Sequence, residues 1–355
     1  MKLFTIGPAQ MHRRTLEVAG RQVPYFRNQE FSEVVLDCER LLKRFAHAPD
    51  DARMILLTAS GTGAMEATVM NCFDVRDRLL VVDGGSFGHR FTRLCEIHGI
   101  GYDSIVLAPD EELSASHLES YAGTDCTGLL VNLDETSTGQ LYDLDMLARF
   151  AHDNGMLLVV DAISAFLSDP IDMAQAGIDA LIVSSQKALA IAPGISVVLL
   201  SGRMMERLGG VDCRSMYFDF KDYLENGLRG QTPFTPAVGI VYELQDRLHA
   251  IEEAGGVEAE VERIATLAHD FRERVAGLPL SIASFRKSNA VTRIVFNEPI
   301  AKTINQRLID DYGFVLNPCG GELADYALRV AHVGDLTLED NEMLVRAIVD
   351  LLAEI

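Results

Sequence analysis

The stretch Met156-Leu-Leu-Val-Val-Asp161 decides the fold, because it places a carboxylate directly after a run of apolar residues. A short continuous apolar run is typical of a strand that is buried on both faces of a sheet. A carboxylate at the end of such a strand is unfavourable unless it is paired. Asp161 is therefore expected to cap a helix, bind a metal or face a cation such as a protonated ring nitrogen.

A lysine follows the next apolar run in the same way. Lys187 ends the segment Ile-Val-Ser-Ser-Gln-Lys and lies 26 residues after Asp161, which leaves room for one connection and one returning strand. Among apolar and small neighbours a lysine tends to lose its charge, and the neutral amine can form a Schiff base. Taken alone, Lys187 would instead be a surface lysine whose aliphatic stem covers apolar neighbours.

Runs of strand type alternate with segments of helical length over the first two thirds of the chain. The runs cover residues 54–57, 79–82, 105–107, 128–133, 156–160, 180–183 and 195–200. This alternation predicts an α/β fold, with a mostly parallel seven-stranded sheet between layers of helices. Right-handed crossovers would place all the carboxyl ends of the strands at one edge, where ligands bind in such sheets.

The last third has a different pattern and predicts a smaller α+β domain. The expected elements are an amphipathic helix over 257–276, strands over 291–296 and 327–332, a helix over 300–312, a turn at 317–318 and a final helix. We place the boundary near residue 240, within a helix over 238–250. The predicted domains are an N-terminal segment crossing both lobes (1–20), a large domain (21–240) and a small domain (241–355).

Composition and charge limit the function classes. The chain has 355 residues, 48% of them hydrophobic, and a net charge of −21. Such an acidic balance argues against nucleic acid and against an anionic membrane surface as partners. No apolar stretch approaches the ~20 residues that span a bilayer, and no signal peptide is visible. The six cysteines are scattered without Cys-x-x-Cys pairs, which indicates a cytoplasmic protein with neither a disulfide framework nor a metal site.

Two further features suggest anion binding. Ser60-Gly-Thr-Gly63 lies between a strand and a helix, where backbone amides and the helix dipole favour a phosphate. The alternative is a tight turn with a helix cap. Arg329, on the predicted strand 327–332, could hold a substrate carboxylate with two hydrogen bonds, although a surface ion pair explains that residue alone equally well.

Together, these features match one cofactor. Pyridoxal 5′-phosphate (PLP) needs a carboxylate for its ring nitrogen, a lysine for its aldehyde and a cradle for its phosphate. Asp161, Lys187 and the turn at Ser60 supply these three groups.

The chain resembles the class V aminotransferases of PLP fold type I, and within them the branch of alanine–glyoxylate, serine–pyruvate and 2-aminoethylphosphonate–pyruvate aminotransferases. Nine stretches carry the resemblance in family order: residues 5–8, 25–31, 60–67, 85–90, 134–139, 160–164, 184–189, 231–236 and 328–334. The resemblance implies that Lys187 holds PLP as an internal aldimine and later carries a proton. It also implies that Asp161 pairs with the ring nitrogen, while Phe87 and Ile163 contact the two ring faces.

The remaining implied roles concern the phosphate, the substrate and a partner subunit. The residues that would contact the cofactor directly are Ser60, Gly61, Thr62 and Gln186 at the phosphate, and Thr136 by a further hydrogen bond. Thr232 and Thr235 would reach the phosphate bound in the other subunit of a homodimer. Arg329 and the backbone of Gly7 would bind the substrate carboxylate.

The expected reaction moves an amino group from a small donor, such as alanine, serine or 2-aminoethylphosphonate, to glyoxylate or pyruvate. A phosphonate donor calls for an additional basic group, and Arg27 and Arg90 are the candidates. One alternative is a cysteine desulfurase or lyase of the same fold that uses Cys319, ten residues before Arg329. Another is a binding protein that has kept the fold without catalysis.

Overall fold

A computed structural model of the chain describes residues 1–108 and 110–354. Its strands are β1 (Lys2–Phe4), β2 (Arg53–Leu57), β3 (Arg78–Asp83), β4 (Gly101–Val106), β5 (Gly128–Asn132), β6 (Asp134–Glu135), β7 (Gln140–Leu141), β8 (Leu157–Asp161), β9 (Ala180–Ser184), β10 (Ser196–Leu200), β11 (Leu280–Ile282), β12 (Val291–Phe296), β13 (Phe314–Pro318) and β14 (Ala327–Ala331). Its α-helices are α1 (Arg13–Ala19), α2 (Gln29–Phe45), α3 (Gly61–Cys72), α4 (Gly88–His98), α5 (Ala115–Glu119), α6 (Leu144–Asp153), α7 (Gly202–Leu208), α8 (Phe220–Gly227), α9 (Val238–Glu253), α10 (Gly256–Arg274), α11 (Ala301–Tyr312) and α12 (Leu338–Glu354), and a short 3-10 helix covers Gly321–Leu323.

The large sheet has seven strands in the order β2-β10-β9-β8-β5-β3-β4. This confirms the predicted α/β class and all seven predicted strands. One expectation was wrong: β10 runs antiparallel to both β2 and β9, so the carboxyl ends of only six strands share an edge. The connection from β9 to β10 is short enough to be a direct reversal, which explains the opposite direction.

The large sheet is apolar on both faces, which is why its strands appear in the sequence as continuous apolar runs. In β8, Leu158 and Val160 pack with helices α2, α6 and α9 on one face, while Leu157 and Val159 pack with α3, α4 and α8 on the other. Alternate residues of a strand point to opposite faces, so both sets must be apolar when helices cover both.

The second sheet has five strands in the order β1-β13-β14-β12-β11, and its core contains helices α10, α11 and α12. Strand β1, from the N-terminus, is parallel to β13 at its edge. The turn expected at residues 317–318 was wrong, because Asn317 and Pro318 end strand β13 and pair with β14. Proline has no backbone N–H to donate to a ladder, and Pro318 is the residue at which β13 ends.

The proposed division at residue 240 stays a prediction. Helix α9, in which that boundary falls, buries Val241, Leu244 and Leu248 in the core of the large sheet, and α1 and α2 pack against it.

We predict that Phe4→Ala destabilises the small sheet although Phe4 lies near the chain terminus. Phe4 is fully buried and meets Phe314 edge to face, with ring centroids 5.5 Å apart. Its loss should lower the free energy of unfolding by about 3–5 kcal/mol, measured by chemical denaturation. Leu16→Ala, at an exposed position on α1, is the matched control and should change it little. Equal effects of the two variants would contradict the placement of β1 in this core.

Candidate active site

The carboxyl ends of β2, β3, β5, β8 and β9 surround a cavity of about 220 Å³. The cavity is lined by Ser60, Gly61, Thr62, Phe87, Arg90, Asn132, Asp134, Thr136, Asp161, Ile163, Ser164, Gln186 and Lys187. Nine of the residues singled out from the sequence are among them: Ser60, Gly61, Thr62, Phe87, Thr136, Asp161, Ile163, Gln186 and Lys187. Their individual roles stay predictions, but one cavity brings them together.

Asp161 is the last residue of β8, and its carboxylate is buried. Its Oδ1 accepts the backbone N–H of Ile163 at 2.9 Å, and its Oδ2 accepts the side-chain amide of Asn132. Burial raises the pKa of Asp161 to about 7, although the Ile163 N–H and the charge of Lys187 lower it. This carboxylate is therefore held rigidly in a place where a cationic partner would stabilise its charge.

Lys187 lies just beyond β9, and its side chain is 9% exposed. Burial lowers the pKa of Lys187 to about 8, against the opposing charges of Asp134 and Asp161. A lysine with such a pKa is partly neutral near neutral pH and can act as a nucleophile or a base. Gly7 lies directly beside it, since a Cβ on Gly7 would come within 3.0 Å of the Lys187 Cδ.

Phe87 forms an aromatic wall of the cavity. The Lys187 Nζ lies 5.9 Å from the centre of its ring, and the Arg90 guanidinium stacks on the ring at 4.4 Å. The loop that carries Phe87 is fixed by Glu135, whose carboxylate accepts the backbone N–H groups of Phe87 and Gly88. Phe87 is thus positioned independently of any ligand.

The turn at Ser60 begins helix α3, and the Ser60 hydroxyl accepts the Gly63 N–H at 3.4 Å. A side chain at Gly61 would be crowded, because a Cβ there would lie 2.3 Å from the Ile163 Cδ1 and 3.3 Å from the Ser184 Cβ. Arg90 donates to the Thr62 hydroxyl at 2.6 Å and so adds a positive charge beside the turn. Helix amides that have no partner, together with this guanidinium, suit a phosphate.

Three of the residues predicted to contact the substrate or the partner subunit's cofactor lie at or beyond the edge of the cavity. Arg329 lies on β14 and donates to the carbonyl groups of Thr136, at 3.2 Å, and Pro318, at 2.9 Å. Thr232 is buried and donates to the Phe234 carbonyl, while Thr235 is exposed, and neither lines the cavity. Arg27 holds the same segment by donating to the Thr232 carbonyl, so it is not the additional basic group in the cavity.

Sequence reasoning missed three residues that line the cavity, since Asn132, Asp134 and Ser164 had no assigned role. Arg90, a candidate basic group from the sequence, also lines it. The strand-end rule would have identified Asn132 and Asp134, because Asn132 is the last residue of β5 and Asp134 follows the apolar run that begins at Gly128. Ser164, which hydrogen-bonds the Thr136 hydroxyl at 2.7 Å, gave no signal of its own.

Within residues 1–108 and 110–354, no cluster of three or more His, Cys, Asp or Glu side chains could hold a metal ion. None of the helices in the described ranges combines the length and the apolar character needed to cross a membrane.

The fold and this cavity define a PLP-dependent transferase fold of type I. The chain belongs to the aminotransferase class-V family, whose model matches residues 12–318. This confirms the family resemblance and identifies the protein as an aminotransferase.

Three relatives illustrate how widely names vary among similar proteins. The soluble hydrogenase small subunit of Synechococcus sp. is 28% identical over 99% of this chain and 93% of its own length. The 2-aminoethylphosphonate–pyruvate transaminase of Phocaeicola vulgatus is 28% identical over 84% of both chains. The structure of an aspartate aminotransferase from Thermus thermophilus covers 100% of both chains with a TM-score of 0.92 and 27% identity.

We predict that Asp161→Asn stabilises the protein without cofactor, and more at high pH than at low pH. The carboxyl has a pKa of about 7 in the folded chain against an ordinary value of 3.8. The folded chain therefore binds this proton more tightly than the unfolded chain does. The resulting gain in the free energy of unfolding is complete below about pH 4 and is lost as the pH rises toward 7. The gain from Asn should approach at most about 4 kcal/mol above pH 7.

The measurement is urea denaturation at pH 5 and pH 8. Asp50→Asn, at an exposed position, is the control and should show no such difference. An Asp161→Asn gain of the same size at both pH values would contradict the burial argument.

Proposed function

We propose that this aminotransferase uses PLP bound through Lys187 to move an amino group from a small donor to a small 2-oxo acid. The donors are alanine, serine or a compound like 2-aminoethylphosphonate, and the acceptors are glyoxylate or pyruvate. The convergence of Asp161 and Lys187 on one cavity, from the ends of neighbouring strands β8 and β9, carries the proposal. The names of similar transaminases support the choice of substrates.

The residues present fit this cofactor. The buried carboxylate of Asp161 lacks a cationic partner at hydrogen-bond distance in the described residues, and a protonated ring nitrogen would provide one. When bound, PLP supplies an aldehyde for an amine and a ring that draws electrons from the substrate. Phe87 and Ile163 would hold the ring from its two faces, and the amides of the Ser60 turn would bind its phosphate.

The protein's own groups then position the substrate and move the proton. Arg329 would bind the substrate carboxylate, because its buried Nε has no hydrogen-bond partner among the described residues. Two backbone carbonyls, which accept one N–H each from its terminal nitrogens, hold the guanidinium in place. The Lys187 amine, partly neutral near pH 8, would take the proton from the substrate Cα and return it. The backbone of Gly7, beside this amine, would complete the carboxylate site.

A homodimer with shared active sites is part of the proposal. Three large apolar side chains, Tyr25, Met216 and Tyr217, are exposed in this structure, and Tyr217 lies beside the phosphate turn. The Tyr217 hydroxyl donates to the Thr58 carbonyl, two residues before Ser60, and the Tyr217 ring stacks on Phe234 next to Thr235. A partner subunit that covers these side chains would bring its own Thr232 and Thr235 toward the turn.

Cytoplasmic localisation also remains a proposal, supported by the free thiols of all six cysteines.

The desulfurase alternative is disfavoured by the state of Cys319. Burial raises the pKa of this thiol, despite the nearby charges of Arg329 and Arg293. A nucleophilic cysteine needs a thiolate, which burial here opposes. The non-catalytic alternative conflicts with the retention of both Lys187 and Asp161 in one cavity.

We expect Lys187→Ala to abolish covalent attachment of PLP. Purified wild-type protein should absorb at about 400 nm and give a borohydride-trapped adduct on Lys187. The variant should lose both signals, whereas Lys302→Ala, at an exposed lysine, should keep them. An adduct that persists in Lys187→Ala would overturn the assignment.

The position of Arg293 makes acidic amino donors, such as aspartate, a second candidate class of substrate. Arg293 on β12 lies directly opposite Arg329 on β14, and opposite residues of antiparallel strands point to the same face. Arg293 is buried, and it pairs with the largely exposed carboxylate of Asp110. Two guanidinium groups side by side suit a substrate that carries two negative charges.

A donor panel of alanine, serine, 2-aminoethylphosphonate and aspartate against pyruvate and glyoxylate tests this. Arg329→Gln should lower kcat/KM for every donor by about 10–100-fold, the value of a charged hydrogen bond. Arg293→Gln should lower kcat/KM for aspartate about tenfold more than for alanine. Equal losses for the two donors would exclude a role of Arg293 in selecting acidic substrates.

A further inference from the structure

Asp134 is a buried carboxyl group in the wall of the cavity to which the proposed chemistry assigns no role. It begins strand β6, just beyond the carboxyl end of β5, and is 3% exposed. Neither of its carboxylate oxygens has a hydrogen-bond partner in the described part of the chain. A buried carboxylate in that state is strongly unfavourable, so the site is built to receive a donor or a cation.

The neighbouring carboxyl groups, unlike that of Asp134, all accept hydrogen bonds. Asp161 is held by Asn132 and the Ile163 N–H, Glu135 by backbone N–H groups and Ser137, and Asp169 by the Ser288 hydroxyl at 2.8 Å and the Asn289 N–H at 3.1 Å. Ser288 also faces Asp134, but its one hydroxyl proton goes to Asp169. Asp134 is thus the carboxyl group of this cluster that is left without a donor.

Two cations face Asp134, and one of them is already engaged. Arg272 donates to the Thr292 hydroxyl at 2.9 Å and to the Ser288 carbonyl. Lys187 shares the cavity wall with Asp134, and no ion pair within 4.0 Å involves its amine among residues 1–108 and 110–354. The amine and the carboxyl group therefore face the same space without yet touching.

We infer that Asp134 is a positioning residue that holds the Lys187 amine once the substrate has displaced this amine from the cofactor. The inference rests on the proposed function. The amine released by the substrate takes the Cα proton: the C–H bond breaks, an N–H bond forms, and the electron pair stays on the substrate side. The resulting ammonium group donates a hydrogen bond to the Asp134 carboxylate, which keeps it aimed at the reacting carbon until the proton is returned.

The acid–base properties of the two groups agree with this role. Burial lowers the pKa of Lys187 and raises the pKa of Asp134 well above its ordinary value. Of the charges that face Lys187, that of Asp134 supports the ammonium form more strongly than that of Asp161. Asp169 and Glu135 further raise the pKa of Asp134, so an ammonium group placed beside it would stabilise its carboxylate form.

The test uses the holoenzyme after excess alanine has converted it to the aminated form, in which Lys187 is free. The rate of its half-reaction with pyruvate, followed by the return of the visible cofactor band, is measured from pH 5 to pH 10. The rate should rise with pH as the amine becomes neutral and able to accept a proton. Asp134→Asn removes the negative charge that supports the ammonium form. The rising limb of the pH–rate profile should therefore move about 1 pH unit lower, and the maximal rate should fall about tenfold.

Two further variants make the result decisive. Asp179→Asn removes an equally buried carboxylate that instead bonds the Leu158 N–H, and its rising limb should match that of the wild type. Asp134→Ser, smaller and also neutral, replaces Asp134→Asn if that variant does not fold, with the same expected shift. An unmoved limb in the neutral Asp134 variants overturns the inference while leaving the aminotransferase assignment intact, whereas a wild type that reacts with no donor overturns the proposed function itself.

Discussion

The structure depends on placing an ionisable pair at the ends of two buried, adjacent strands. Strands β8 and β9 are apolar on both faces, and Asp161 stands at the end of β8 while Lys187 follows three residues after β9. Because β8 and β9 are parallel, both side chains emerge at the same edge. Asn132 on β5 and the Ile163 N–H then donate hydrogen bonds to Asp161. These bonds stabilise its buried carboxylate and fix its position for binding.

Much of this arrangement could be predicted from the sequence because buried parallel strands leave a strong signal. The strand predicted over 291–296 matches β12 at both ends, and the other apolar runs locate their strands. The edge strand β4 begins four residues before the predicted run at 105, because its first residues are polar and partly exposed. The pairing of β1 with β13 depends on contacts between distant parts of the chain, which no local pattern encodes. The reversal of β10, by contrast, follows from the short connection after β9.

In the site, too, the residues that follow a strand could be predicted from the local sequence, whereas contacts with another subunit could not. Asp161, Lys187 and the Ser60 turn follow strands directly, so the strand-end rule identified them. Asp134 follows a strand as well, but in the sequence it stands within the stretch 134–139, which was interpreted only as part of the family resemblance. What the sequence cannot give is the direction in which Thr232 and Thr235 face, because their predicted contact belongs to another subunit.

Local charge explains how such an acidic chain can bind anionic ligands. The chain carries a net charge of −21, yet Arg90, Lys187 and Arg329 are gathered at or beside one cavity, near the start of helix α3. Within a buried site these charges are screened less than the acidic residues at the solvated surface. The carboxylates placed among them must therefore each have a defined partner, or they would cancel the field that attracts a phosphate and a carboxylate. Asp161 and Glu135 have such partners within the protein, and this requirement is the reason why the unpaired carboxyl of Asp134 indicates a role for it in the reaction.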